Sequence, residues 1–184
     1  MRLMLATAAL ACLALVAPAA ELGDDGLHKE PWMHDTFKDL REDLEEANAE
    51  GKRLMVIVEQ RGCIYCTKMH EEVFVLEDIA ATLMDDYFVV QINMFGDVEV
   101  TDFDGEVLSE KAASRKWGLN FTPMMLFFPE EVPEGMTAEE AAVATIPGAF
   151  GPGTTRNMLS WVLEKGYEGE EPFQAYHARK LGGG

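Results

Sequence analysis

The sequence predicts an α/β fold, a central β-sheet flanked by helices, and three observations carry that prediction. The apolar run Leu54-Met55-Val56-Ile57-Val58 leads through a short turn into Arg61-Gly62-Cys63-Ile64-Tyr65-Cys66, the order of a buried strand, a turn and a helix with two thiols on its first turn. A second apolar run, Met124 to Phe128, is preceded directly by Pro123. Segments of helical spacing alternate with short apolar runs along the rest of the chain.

The first 19 residues differ from the rest. Arg2 is their one charge, Leu3 to Val16 is rich in Ala and Leu, and Ala17-Pro18-Ala19-Ala20 offers an A-x-A site, so residues 1–19 read as a signal peptide cleaved after Ala19. No later stretch reaches the roughly 18 apolar residues of a membrane span. The expected mature chain of 165 residues (184 less 19) suits one domain with a substantial core. Its location is expected to be the periplasm, with no membrane span after cleavage. The 33 acidic and 15 basic residues give a net charge of −18, which becomes −19 without Arg2 and argues against nucleic acid and anionic membranes as partners.

Residues 20–34 are polar and contain glycine, so an extended N-terminal arm is expected there. Asp35 or Thr36 should cap a helix whose apolar stripe is Phe37, Leu40, Leu44 and Ala47, with Gly51 as its stop. The strand at Leu54–Val58 and the Cys helix, running to about Phe74, follow. A helix over Asp78–Met84 packs through Ile79, Leu83 and Met84, and Phe88 to Asn93 is the next strand. Between Gly96 and Leu108 acidic and apolar residues alternate, predicting a loop or small hairpin turning at Asp104-Gly105. Asp102, Asp104 and Glu106 alternate as calcium ligands do, but Lys111 stands where a calcium loop needs its final glutamate, so a solvated loop is expected.

Ser109 should cap a helix through Trp117 that Gly118 ends. A proline directly before a buried strand cannot donate to a ladder, so Pro123 belongs at a special turn, where a cis peptide is the expected occupant. Pro129 to Glu140 forms an acidic insertion, Val143 to Gly148 an edge strand, and a last helix starts near Thr154. Residues 35–167 make up the expected domain, and 168–184 a tail with a possible helix from Pro172 to Lys180.

With Cys12 lost in the signal peptide, the mature chain keeps only Cys63 and Cys66, a vicinal pair that reads as a reactive disulfide. Structural zinc wants four ligands, and no second cysteine pair exists. A c-type haem would need histidine where Thr67 sits. No cofactor beyond the disulfide is expected, and no metal.

The element order, with Cys63-x-x-Cys66 and Thr122-Pro123 in their places, resembles the thioredoxin superfamily over roughly Asp35 to Lys165. Within it, Glu59-Gln60-x-Gly62-Cys63-x-Tyr65-Cys66-x-x-Met69-His70 and Trp117-Gly118-Leu119-x-Phe121-Thr122-Pro123 resemble exported SoxW-type thioredoxins of bacterial sulfur oxidation. The resemblance implies a mixed sheet, into which the acidic stretches at 97–106 and 130–140 read as loop insertions. It implies a protein disulfide oxidoreductase acting on exported proteins with disulfides, in the reducing direction, with a membrane thiol carrier as electron donor. Two departures stand out. Ile64-Tyr65 replaces the usual dipeptide, and Ile57 occupies the position where thioredoxin keeps a buried aspartate, so the proton acceptor it is thought to provide is either missing or supplied elsewhere.

Cys63 at the helix head should be the nucleophile, its thiolate favoured by free N–H groups and the helix dipole, and Cys66 the resolving thiol. Ile64 and Tyr65 tune the thiolate and can line a substrate groove; ordinary exposed surface is the alternative for Tyr65. The resemblance places Thr122 and Pro123 opposite the disulfide, where a substrate strand would add. Glu59, four residues before Cys63, and His70, four after Cys66, are the candidate proton acceptors. Their alternatives are a solvated loop carboxylate and a packed or surface histidine. Eleven methionines keep a second class open, a Cu(I) chaperone using the thiolates with His70 and Met69, Met124 or Met125, although methionines on an apolar strand are more simply core.

Overall fold

A computed structural model describes residues 20–183; the predicted signal peptide with Cys12 lies outside the described residues. Three short strands, β1 (Glu21–Leu22), β2 (His28–Lys29) and β3 (Met33–His34), precede α1 (Leu40–Ala49) and β4 (Arg53–Glu59). Next come α2 (Ile64–Glu72), α3 (Glu77–Asp86), β5 (Tyr87–Asn93), β6 (Glu99–Thr101), β7 (Val107–Ser109) and α4 (Glu110–Lys116). The chain continues through β8 (Met124–Phe127), α5 (Ala138–Ala141), β9 (Ala144–Pro147), α6 (Pro152–Leu163) and α7 (Phe173–Gly182). The main sheet has the order β3-β5-β4-β8-β9. β3, β5 and β4 run parallel, while β8 is antiparallel to β4 and β9 to β8, so the sheet is mixed.

β4 lies at the centre, and all seven of its residues are buried because both faces of the sheet are covered. The pleat sends Leu54, Val56 and Val58 into a core with α1 and α4, and Met55 and Ile57 into a core with α2, α3 and α6. Each such side chain contributes about 1.5–3 kcal/mol by leaving water, so this strand anchors the sheet. The same two-residue period turns Glu59 toward α2.

Several expectations need correction. Helix α1 starts at Leu40 with Asp39 as its cap, not at Asp35 or Thr36, because Lys38 adopts φ +59° and breaks any helix running through it; Phe37 is left 94% exposed. Met84 is exposed instead of packed. Residues 20–34 are not simply extended. β1 pairs with β2, β3 joins β5 in the main sheet, and Leu27 and Trp32 are buried. α6 begins at Pro152, whose fixed φ suits a first helical turn. The stretch over 129–140 sends Val132 and Ala138 into the core.

The acidic stretch is a hairpin, β6 against β7, and its turn uses Gly105 at φ +85°. Its tip, Asp104 to Val107, is exposed as expected of a solvated loop, but Asp102 beside it is not. Asp102 is fully buried and accepts hydrogen bonds from the Trp117 indole N–H at 2.9 Å and the backbone N–H groups of Phe103 and Ala138, both at 2.8 Å. The Lys116 ammonium lies 2.9, 2.6 and 2.9 Å from Asp102, Asp104 and Glu106, so a lysine fills the place a cation would take. Asp102→Ala, which strands three buried donors, should cost about 3 kcal/mol or more in urea unfolding. Asp104→Ala, losing an exposed contact, should cost less than about 1 kcal/mol; equal losses would show that Asp102 has no special role.

Candidate active site

Cys63 caps α2, following Gly62, which supplies the turn with φ +71°. Cys63 and Cys66 form a disulfide with their Cα atoms 5.2 Å apart. The Cys66 backbone N–H donates to Cys63 Sγ at 3.0 Å, so an orphan donor of the helix N-terminus is aimed at that sulfur. Cys63 keeps 7% of its surface exposed and Cys66 1%.

The Thr122–Pro123 bond is cis. The Thr122 hydroxyl donates to Cys63 Sγ at 3.1 Å, and the Pro123 carbonyl accepts from the Gly148 N–H at 2.8 Å, which ties this loop to the end of β9. Ile64 and Tyr65 are exposed on α2, Phe121 is exposed beside Thr122, and Phe95 is exposed just past the end of β5, which is level with the end of β4. Exposed apolar side chains therefore sit between the two cysteines and next to Thr122. From Gln60 to His70 the chain carries Arg61 and Lys68 and no acidic residue, in a protein of net charge −18.

Glu59 and His70, separate candidates in the sequence, meet in the core. Both are completely buried, and His70 Nε2 lies 3.0 Å from Glu59 Oε1. The other ring nitrogen, Nδ1, lies 2.9 Å from Glu30 Oε1. Gln91 donates to Glu59 Oε2 at 2.7 Å and to the His28 carbonyl at 2.9 Å, and Lys29 donates to Gln91 at 2.7 Å. Burial works against a charge on His70, but the hydrogen bonds to Glu30 and Glu59 and their charges outweigh it and raise its pKa to about 9. His28 stacks on His70 with ring centres 4.4 Å apart, and burial and the His70 charge hold its pKa below the usual value.

His28, Glu59 and His70 bring possible ligand atoms within 4.8 Å of one another. A metal must lie in the plane of each imidazole it binds, whereas these rings are stacked only 12° from parallel. Both nitrogens of His70 already face carboxylates. These contacts suit a protonated imidazole better than a metal ligand. Met69 and Met125 belong to the core on the α2 side and Met124 to the opposite core, so all three serve packing.

Residues 40–149 match the family model for a thioredoxin-like domain, 110 of the 184 residues. The chain belongs to the thioredoxin-like family. Among curated proteins none matches this sequence. The thioredoxin-like fold is shared with a thioredoxin-fold protein from Helicobacter pylori, at 11% identity and TM-score 0.56, over 88% of this chain and 95% of the other. It is shared also with a thioredoxin from Thermus thermophilus, at 19% identity and TM-score 0.53, over 70% and 86%. No helix among the described residues is long and apolar enough to cross a membrane.

Ile57 and Glu59 share one face of β4, so Glu59 places a carboxylate one pleat repeat beyond Ile57. Glu30, His28 and Gln91 escaped the sequence reading. The signal that could have found the first two is the alternation His28-x-Glu30-x-Trp32, which faces all three side chains toward His70.

The raised pKa fixes the sign of a pH effect. Native His70 holds its proton to about pH 9 and the unfolded side chain only to 6.5, so its contribution is complete below pH 6.5 and lost as pH rises through 9. Relative to His70→Gln, the wild type should lose on the order of 3 kcal/mol across that window in urea unfolding. A difference independent of pH would mean that His70 is neutral.

Proposed function

We propose that this protein is an exported thiol–disulfide oxidoreductase that reduces disulfides of other exported proteins in the periplasm. The observation that carries the reading is the Cys63–Cys66 disulfide at the head of α2, with Thr122 hydrogen-bonded to Cys63 Sγ from the cis-proline loop. In the reduced protein the Cys63 thiolate attacks one sulfur of a substrate disulfide, forming a mixed disulfide and releasing one substrate thiolate. Cys66, deprotonated, then attacks Cys63 Sγ, releasing the second substrate thiol and restoring the Cys63–Cys66 bond.

The roles of the other residues belong to the same proposal. Thr122 and Pro123 receive an extended substrate segment, and Ile64 and Tyr65, with Phe95 and Phe121, cover its apolar residues. Glu59, held ready by His70, takes the Cys66 proton. The absence of acidic side chains from Gln60 to His70 spares an approaching thiolate the repulsion the rest of the surface would exert. The resemblance to SoxW-type proteins supports reduction of sulfur-oxidation proteins, with electrons from a membrane thiol carrier, and the leader-like residues 1–19 support export. The rival Cu(I) reading uses the Cys63 and Cys66 thiolates with His70 and Met69, Met124 or Met125, but these methionines are core and both ring nitrogens of His70 face carboxylates.

Cys63→Ser should abolish turnover with a protein disulfide, and Cys66→Ser should accumulate a mixed disulfide visible on non-reducing gels. Full turnover by Cys63→Ser would overturn the proposal. Stoichiometric copper on the reduced wild type would put the chaperone reading in its place.

A further inference from the structure

The segment from His28 to Trp32 lies outside the family-matched residues 40–149, yet it supplies half of the buried cluster behind the cysteines. Glu30 closes on His70 Nδ1, the His28 ring covers one side of the imidazole, and Trp32 lies parallel to it at 6.3 Å. Glu59 from β4 closes on the other nitrogen. His70 follows Cys66 by four residues in α2, a rise of about 6 Å, and both belong to the buried face of the helix.

We propose that this N-terminal arm is a working part of the redox centre, in which Glu30 is a positioning residue that keeps the cluster net negative and so sets the stability of the Cys63 thiolate. The proposal rests on the thiol–disulfide reading above. Its charge count is short. Glu30 and Glu59 contribute −2 and the His70 imidazolium +1. The other charged or titratable groups near His70 are His28 on the arm, Lys29 reached through Gln91, and Glu71 on α2.

Reduction by a dithiol moves two electrons into the S–S bond. Cys63 leaves as a thiolate, Cys66 takes one of the dithiol's two protons and the other goes to solvent, so the site gains one negative charge while the reductant becomes a disulfide. In the buried surroundings of α2 that charge meets a cluster already at −1, which disfavours the reduced form and makes the protein a better reductant. Without Glu30 the cluster is neutral while His70 keeps its proton. His70, left with one carboxylate, then gives up that proton at a lower pH than in the wild type.

The test is Glu30→Gln in the full mature chain, equilibrated with glutathione redox buffers from pH 6 to pH 9 and read by counting free thiols. For charges about 10 Å apart at an effective dielectric constant of about 20, the variant should favour the reduced form on the order of tenfold at pH 6. The advantage should shrink above pH 6 as His70 of the variant loses its proton, and return near pH 9 as wild-type His70 loses its own; Glu30→Asp should restore wild-type behaviour. An unchanged equilibrium at pH 6, or a difference constant across the range, overturns the proposal.

Should Glu30→Gln fail to fold, ¹⁵N NMR of the wild-type imidazole decides. Retention of the His70 proton through pH 8 is expected, and release near pH 6.5 overturns the proposal. The outcome is separable from failure of the thiol–disulfide reading. A protein that shows these equilibria but does not turn over protein disulfides would lose the enzymatic function and keep the charge coupling.

Discussion

A carboxylate buried at the end of the central strand is the constraint on which the site depends. β4 is covered on both faces, so Glu59 points into the core and cannot be left alone there; an isolated charge in such a place would cost many kcal/mol or lose its ionisation. One carboxylate oxygen is met by His70 from α2 and the other by Gln91 from β5. Charging His70 then creates a demand at its second nitrogen, which Glu30 meets. The requirement passes from strand to helix to arm, and each element it recruits is fixed against the next.

The thiol chemistry grows from the same end of the sheet. β4 and β5 are parallel and in register to Glu59 and Asn93, so the turn after β4 delivers Cys63 to the head of α2 at the sheet edge. β8 runs antiparallel to β4, and the loop before it therefore arrives at that edge too, carrying Thr122 to Cys63 Sγ. Strand direction alone brings together two motifs 59 residues apart. The helix N-terminus adds a donor at the sulfur, and burial of Cys66 leaves Cys63 as the more accessible of the two.

The strong acidity is handled locally. Lys116 gathers three carboxylates at the hairpin and Asp102 ties that hairpin to Trp117 and to the start of α5, so part of the negative charge is structural. Arg53 and Lys165 close on Glu130 at the opposite edge. Around the cysteines, apolar side chains and two cations stand in place of acids. Acidic side chains are thus absent from the stretch that carries the cysteines, Gln60 to His70, and carboxylates meet His70 only as the paired groups Glu59 and Glu30.

What the sequence determined by itself was everything written in short-range order. The two apolar strands, the helix that opens on Cys63, the proline before β8 and the hairpin at Asp104-Gly105 are local patterns with local causes, so periodicity and turn chemistry identify them. The sequence also marked Glu59 and His70 as separate candidates, each with a neutral alternative. Only the tertiary structure decided that they are one unit, because burial and pairing depend on which faces of β4, β5 and α2 meet. Glu30 and His28 left only a faint sequence signal, the alternation His28-x-Glu30-x-Trp32, and what that face meets is decided by tertiary structure alone. Their segment looks polar and extended along the chain, and only the pairing of β3 with β5 and the contacts to His70 hold it against the core, which Trp32 enters. Asp102 makes the same point at the hairpin: a carboxylate that reads as solvated becomes a buried acceptor once Trp117, Ala138 and Lys116 are folded around it.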